Sequence, residues 1–80
     1  MNTLRIAENV VEIADTCLVP LQEHFENSFG RDTIVRNYIY PWAIEAEAIL
    51  SSDEYDFEEM TYYEFMDIFT DKKLNEVLCR

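Results

Sequence analysis

Apolar residues recur every three or four positions along the first part of the chain, which is the spacing of one face of an α-helix. This stripe contains Ala7, Val10, Val11, Ala14, Cys17, Leu18, Leu21, Phe25 and Phe29. Asn2 or Thr3 can cap its start, and Gly30 stands where a left-handed residue would end it. Pro20 interrupts the pattern because it lacks an N–H and crowds the carbonyl four residues earlier. We therefore predict one kinked helix or two helices that meet at Val19.

A second stripe of helical period follows between residues 32 and 50. It contains Ile34, Val35, Tyr38, Ile39, Trp42, Ala46, Ile49 and Leu50. Asp32 is a suitable N-cap, and Pro41 predicts a kink or a break inside the segment. Residues 33–40 are rich in β-branched and aromatic side chains and are also compatible with a strand. We favour a helix because "AIEAEAIL" consists largely of good helix formers and the chain offers no convincing partner strand.

The last third of the chain combines capping signals with short apolar repeats. Ser51 with Glu54 and Thr61 with Glu64 both fit the capping-box pattern. The spacing predicts a loop or short helix over 52–59 and a firm helix from 61 to about 69. Its core-facing residues are Tyr62, Phe65, Met66 and Phe69. Asp71 then caps a last short helix whose inward side chains are Leu74, Val77 and Leu78.

These segments predict a single all-α domain over residues 1–80. We expect a small bundle of four or five short helices, two of them kinked or broken at Pro20 and Pro41. The chain has one glycine and two prolines. With so few turn-forming residues, a β-sandwich or barrel is disfavoured, because these folds need a turn about every ten residues.

The distribution of charge is the most informative property of the sequence. The chain has 17 acids against 6 lysines and arginines, a formal net charge of −11. Residues 37–71 contain ten acids and no base, and "SSDEYDFEEMTYYEFMDIFTD" (residues 51–71) holds eight of them. A chain this acidic repels nucleic acids and anionic lipids and attracts basic proteins. Like charges weaken a helix that lacks compensating bases. We therefore infer that the negative electrostatic field of this segment serves to attract a partner.

The sequence offers little catalytic or metal-binding chemistry. His24 is the sole histidine, and "SSDEYDFEEMTY" lacks the central glycine of a calcium loop. Cys17 and Cys79 are too few for a disulfide framework, and no signal peptide or membrane-length apolar run is present. We therefore expect a cytoplasmic, non-enzymatic protein with free thiols and without metal or cofactor.

The acidic segment also supplies the candidate binding residues. These are Asp53, Glu54, Tyr55, Asp56, Phe57, Glu58, Glu59, Tyr62, Glu64 and Asp67. Tyr55 and Phe57 fit no helical stripe, so they are either exposed anchors or folded under the domain. If Asp53 to Asp71 were one helix, its acids would be spaced by about 3.5 Å along the axis. That spacing is close to the ~3.4 Å between phosphates of one DNA strand.

Three functions fit this pattern. The first is an acidic inhibitor that binds the basic nucleic-acid-binding surface of a partner protein by nucleic-acid mimicry. In size, acidity and aromatic content the chain resembles small phage-encoded inhibitors such as anti-CRISPR and anti-restriction proteins; no motif accompanies this likeness, so it assigns no residue roles. The second is an immunity protein or antitoxin that blocks a basic nuclease toxin. The third is a non-catalytic helical adaptor or structural subunit, whose acidity serves solubility alone.

Overall fold

A computed structural model describes residues 2–79, and the secondary structure there is helical without strands. Helix α1 spans Thr3–His24. Helix α2 (Arg31–Ile34), a π-helical turn (Val35–Ile39) and helix α3 (Tyr40–Leu50) follow one another without interruption. Helix α4 spans Tyr62–Leu78. The all-α prediction is confirmed, but the described residues form three helices in space rather than four or five.

Helix α1 begins as predicted and passes through Pro20. The side chain of Asn2 accepts a hydrogen bond from the Arg5 N–H at 3.1 Å, which caps the first turn. Pro20 lies only one turn before the end of the helix, so it removes few backbone hydrogen bonds. Thr16, whose carbonyl loses its helical donor at Pro20, is an exposed residue. The alternative of two helices meeting at Val19 is wrong.

The turn after α1 does not use Gly30 as the left-handed residue that the sequence predicted. The residues with positive φ are Glu26 and Asn27, at 55° and 60°, and Asn27 donates its N–H to the Gln22 carbonyl at 2.8 Å. Gly30 has φ −70° and ψ 162° and is the N-cap of α2, so Asp32 lies in the first turn rather than at the cap. Helix α1 therefore ends at His24, before Phe25 and Phe29 of the predicted stripe, and the chain reverses to bring α2 and α3 against α1.

The second helical segment accommodates Pro41 through a π-helical turn. The Tyr40 N–H donates to the Val35 carbonyl, five residues back, instead of four. This wider turn lies directly before Pro41 and relieves the crowding that a proline ring causes in a regular α-helix. Residues 33–40 are therefore helical, as favoured, and Pro41 changes the pitch of the helix without breaking it.

The end of the chain is one helix where the sequence predicts two. Thr61 caps α4: its hydroxyl oxygen accepts from the Glu64 N–H at 3.3 Å, which confirms this capping pair. Thr70 and Asp71 lie inside the helix, and the Thr70 hydroxyl donates to the Met66 carbonyl at 2.7 Å. A separate helix capped by Asp71 is thus wrong, since no proline or glycine interrupts the segment.

Helix α1 contacts both α3 and α4, and the core lies between these three helices. The buried apolar residues are Ile13, Cys17, Leu18, Leu21, Ile34, Ile39, Ala43, Ala46, Leu50, Phe65, Met66 and Phe69. Residues 51–61 connect α3 to α4 on the surface through a series of turns, and we call them the acidic loop. Ser51 is the C-cap of α3, so the predicted capping box of Ser51 with Glu54 is wrong.

Candidate functional site

The carboxylates of residues 51–71 all belong to exposed residues. They are Asp53, Glu54, Asp56, Glu58 and Glu59 in the acidic loop, and Glu64, Asp67 and Asp71 on α4. Within residues 2–79 none of the eight forms an ion pair. Because five of them lie in a non-helical loop, the regular axial spacing of about 3.5 Å per charge, which assumed a continuous helix, does not hold.

Local hydrogen bonds shape the acidic loop. The Asp56 side chain accepts from the Glu58 N–H at 2.8 Å, and the Ser52 hydroxyl accepts from the Glu54 N–H at 3.2 Å. The Tyr55 hydroxyl donates to the carbonyl of Met60 at 2.7 Å and lies 3.2 Å from that of Thr61. These contacts satisfy backbone groups that have no helical partner, so the loop has a definite conformation rather than an extended one.

The two aromatic residues of the loop have different environments. Tyr55 is half-buried, with its ring centroid 5.4 Å from that of Phe65, and burial raises the pKa of its phenol. Phe57 is 44% exposed and packs against Tyr55 at a centroid distance of 4.6 Å. Of the two alternatives left open by the sequence, Tyr55 is largely folded under and Phe57 remains accessible to a partner.

Tyr62 ties the three helices together. Its hydroxyl donates to the side-chain oxygen of the buried Asn9 at 2.7 Å, and the Asn9 amide donates to the Ala43 carbonyl at 3.1 Å. Burial raises the pKa of the Tyr62 phenol, so it stays a hydrogen-bond donor throughout the physiological range. Tyr62 is half-buried, and its hydroxyl belongs to this interhelical contact.

A buried ion pair lies beside the acidic loop, and the sequence did not identify it. The Glu47 side chain has no solvent exposure and meets the Arg5 guanidinium at 2.5 and 2.9 Å. Ser51 donates its hydroxyl to the same carboxylate, and the Asn2 N–H lies 3.3 Å from it. Chiefly because of Arg5, the pKa of Glu47 falls to about 2. A signal was present, since Arg5 is the one lysine or arginine before Arg31.

The same arginine reaches the acidic loop. Its guanidinium carbon lies 5.7 Å from the centroid of the Phe57 ring, within the range of a cation–π interaction. Arg5 also donates to the Ser51 hydroxyl at 3.1 Å, at the point where α3 passes into the loop. The N-terminal turn of α1 therefore supports the loop at its start and at Phe57.

On the other side, Lys73 neutralises an acid of α3. Its ammonium lies 2.7 Å from a Glu45 carboxylate oxygen, which joins α4 to α3. The lysine is also 3.8 Å from Glu76 and 5.6 Å from the centroid of the Phe69 ring. Both acids of α3 thus have basic partners, whereas the acids of the loop have none among residues 2–79.

Two shallow, open depressions flank Tyr55. The first lies between the outer face of α3 and the loop, and Glu45, Ala48, Ile49, Ser52, Glu54 and Tyr55 line it. The second lies between the loop and the start of α4, and Glu54, Tyr55, Asp56, Glu59, Met60 and Phe65 line it. Both combine carboxylates with apolar side chains and share Glu54 and Tyr55.

The thiols and the remaining potential ligands do not converge on another site. Burial raises the pKa of the Cys17 thiol to about 11, so it remains protonated in the core, and Cys79 is exposed. In the part of the chain that the structure describes, no three His, Cys, Asp or Glu side chains are grouped as metal ligands. No helix between residues 2 and 79 has the length and apolarity needed to cross a membrane.

Comparisons with protein-family models, with curated proteins and with solved structures each return no match to this chain.

Proposed function

We propose that this protein is an inhibitor that binds the basic nucleic-acid-binding surface of a partner protein. One observation carries the proposal: the eight carboxylates of residues 51–71 belong to exposed residues, and none is ion-paired within residues 2–79. Such a surface generates a strong negative field, which accelerates association with a positively charged groove and disfavours acidic partners.

Phe57 supports this interpretation by supplying an apolar contact at the centre of the charged loop. Its ring is 44% exposed and has acids on both sides in the sequence. Charged contacts determine the rate and specificity of association, whereas aromatic side chains that become buried supply much of the affinity. Hydrogen bonds within the loop connect its side chains to its own backbone, and preorganisation of this kind lowers the entropic cost of binding.

The proposal is tested by recovering the partner and by asking whether the acids control the interaction. The immobilised protein is exposed to cell lysate, and bound proteins are eluted with increasing salt and identified by mass spectrometry. We expect a nucleic-acid-binding protein that elutes at moderate salt and whose binding to DNA or RNA is inhibited by this chain in competition assays.

Two charge-reversal variants provide the matched comparison. Glu58→Lys with Glu59→Lys alters the acidic loop, and Asp15→Lys with Glu23→Lys alters exposed acids of α1 by the same total charge. We expect inhibition to be lost in the first variant and retained in the second. Equal effects of both pairs, or a partner that resists salt and binds the loop variant normally, would show that the loop is only a solvated surface.

A further inference from the structure

The two depressions lie on either side of Tyr55 and share Tyr55 and Glu54 in their lining, and we call them together the Tyr55 groove. Ala48 and Ile49 supply its apolar surface on the side of α3. Met60 and Phe65 supply the apolar surface on the side of α4. Ile49 is 40% exposed, so part of this apolar surface is in contact with solvent.

The carboxylates of the groove differ in whether they already have a basic partner. Glu45 is bound to Lys73, whereas Glu54, Asp56 and Glu59 form no ion pair within the described residues 2–79. Glu54 contributes to both depressions. Each depression thus presents apolar side chains, an aromatic ring and at least one carboxylate that is free to accept hydrogen bonds.

We propose that the Tyr55 groove receives arginine or lysine side chains of a partner protein. A basic side chain has an aliphatic stem, which fits the apolar lining, and a cationic head, which the carboxylates and the aromatic ring of Tyr55 attract. A purely apolar segment would remove these carboxylates from water without giving them a partner, and an acidic segment would be repelled. The inference rests on the proposed function and specifies one contact through which the acidic surface holds a basic partner.

The proposal is tested with a synthetic peptide that contains three arginines separated by glycines, at physiological salt. Titration of the ¹⁵N-labelled protein is followed by NMR, with a glutamate-containing peptide as the negative control. We expect the largest chemical-shift changes at Ala48, Ile49, Glu54, Tyr55 and Met60. Changes spread evenly over the acids of α1 and of the loop would overturn the groove and indicate diffuse attraction.

A substitution that fills the groove without changing its charge separates shape from electrostatics. Ala48 is exposed, so Ala48→Leu fills part of the first depression without adding an aromatic ring and leaves the core intact; Ala7→Leu places the same side chain on an exposed position of α1. We expect Ala48→Leu to weaken peptide binding by about fivefold, the equivalent of one cation–π contact that the side chain can no longer reach. Unchanged binding by Ala48→Leu, or equal weakening by Ala7→Leu, would contradict the proposal.

A second pair of variants tests the shared carboxylate. Glu54→Gln should weaken binding by about tenfold because it removes a charge-assisted hydrogen bond, and Glu23→Gln, with the same change of charge on α1, should have little effect. The peptide assay does not require the natural partner. The groove is wrong, and the inhibitor function unaffected, if Ala48→Leu and Glu54→Gln both bind the peptide as the wild type does while the wild-type protein still inhibits its natural partner and the Glu58→Lys, Glu59→Lys variant does not.

Discussion

Glu47 and the carboxylates of the acidic loop are the same chemical group in opposite environments. Glu47 is buried, meets Arg5 at 2.5 Å and accepts a further hydrogen bond from Ser51. A few residues later, Asp53 to Glu59 lie at the surface and have no ion pair within residues 2–79. Burial of a charge is tolerated only when a partner compensates for lost hydration, whereas an exposed charge is stabilised by water.

The difference shows how the few basic residues are used. Arg5 and Lys73 both pair with acids of α3, one at its inner and one at its outer side. These pairs join α1 and α4 to α3, and within residues 2–79 no base forms an ion pair with an acid of the loop. The acids of α3 are therefore paired while those of the loop keep their full negative charge, and the comparison can be tested from both sides.

The largest effect is expected from Glu47→Gln. It removes the charge that compensates the partly buried Arg5, and breaking a buried pair in this way costs about 3 kcal/mol of unfolding free energy. Urea denaturation followed by circular dichroism at 222 nm measures this change. The control is Glu45→Gln, whose exposed pair with Lys73 contributes less than ~1 kcal/mol. Similar losses in the two variants would remove the distinction between the buried and the exposed pair.

The contribution of Glu47 also depends on pH. Because Arg5 lowers its pKa from 4.5 to about 2, the unfolded chain binds a proton there at a higher pH than the folded one. Its stabilising contribution is complete above about pH 4.5 and is lost as the pH falls towards 2. The difference in unfolding free energy between the wild-type protein and Glu47→Gln should therefore shrink over this interval, as measured by urea denaturation at several pH values. A constant difference would mean that the carboxylate is not held ionised by Arg5.

The smallest effect on stability is expected in the acidic loop. Glu58→Lys with Glu59→Lys should change the free energy of unfolding by no more than about 0.5 kcal/mol, because the two side chains are exposed and unpaired within residues 2–79. Any change should be stabilising at low salt, since the substitution relieves repulsion among the remaining acids, and it should decrease at high salt. A large destabilisation in thermal or urea unfolding would show that these carboxylates support the fold.

Helical period predicted most of the core, because side chains three or four apart share a face regardless of what covers them. Cys17, Leu21, Phe65 and Phe69 are buried as that period indicates, and Thr61 caps α4. Ile13 is buried although it was outside the predicted stripe, and four residues that the period placed inward are exposed: Val11, Phe29, Ile49 and Leu78. The number of helices was not predictable in this way. Pro20 and Pro41 are local signals of a helix break. Neither breaks its helix, because Pro20 lies near the end of α1 and a π-helical turn accommodates Pro41.

For the surface, the sequence determined that residues 37–71 contain no base, and hence that this half of the chain is strongly negative. It did not determine which acids remain exposed. Only the tertiary structure brought Arg5 to Glu47 and Tyr62 to Asn9, contacts that join residues more than forty positions apart. The helical period and the caps depend on neighbours along the chain, whereas the pairing of a buried polar group depends on which helices pack together. Glu47 is part of the core and Glu54 part of the surface because only Glu47 lies where another helix supplies a partner.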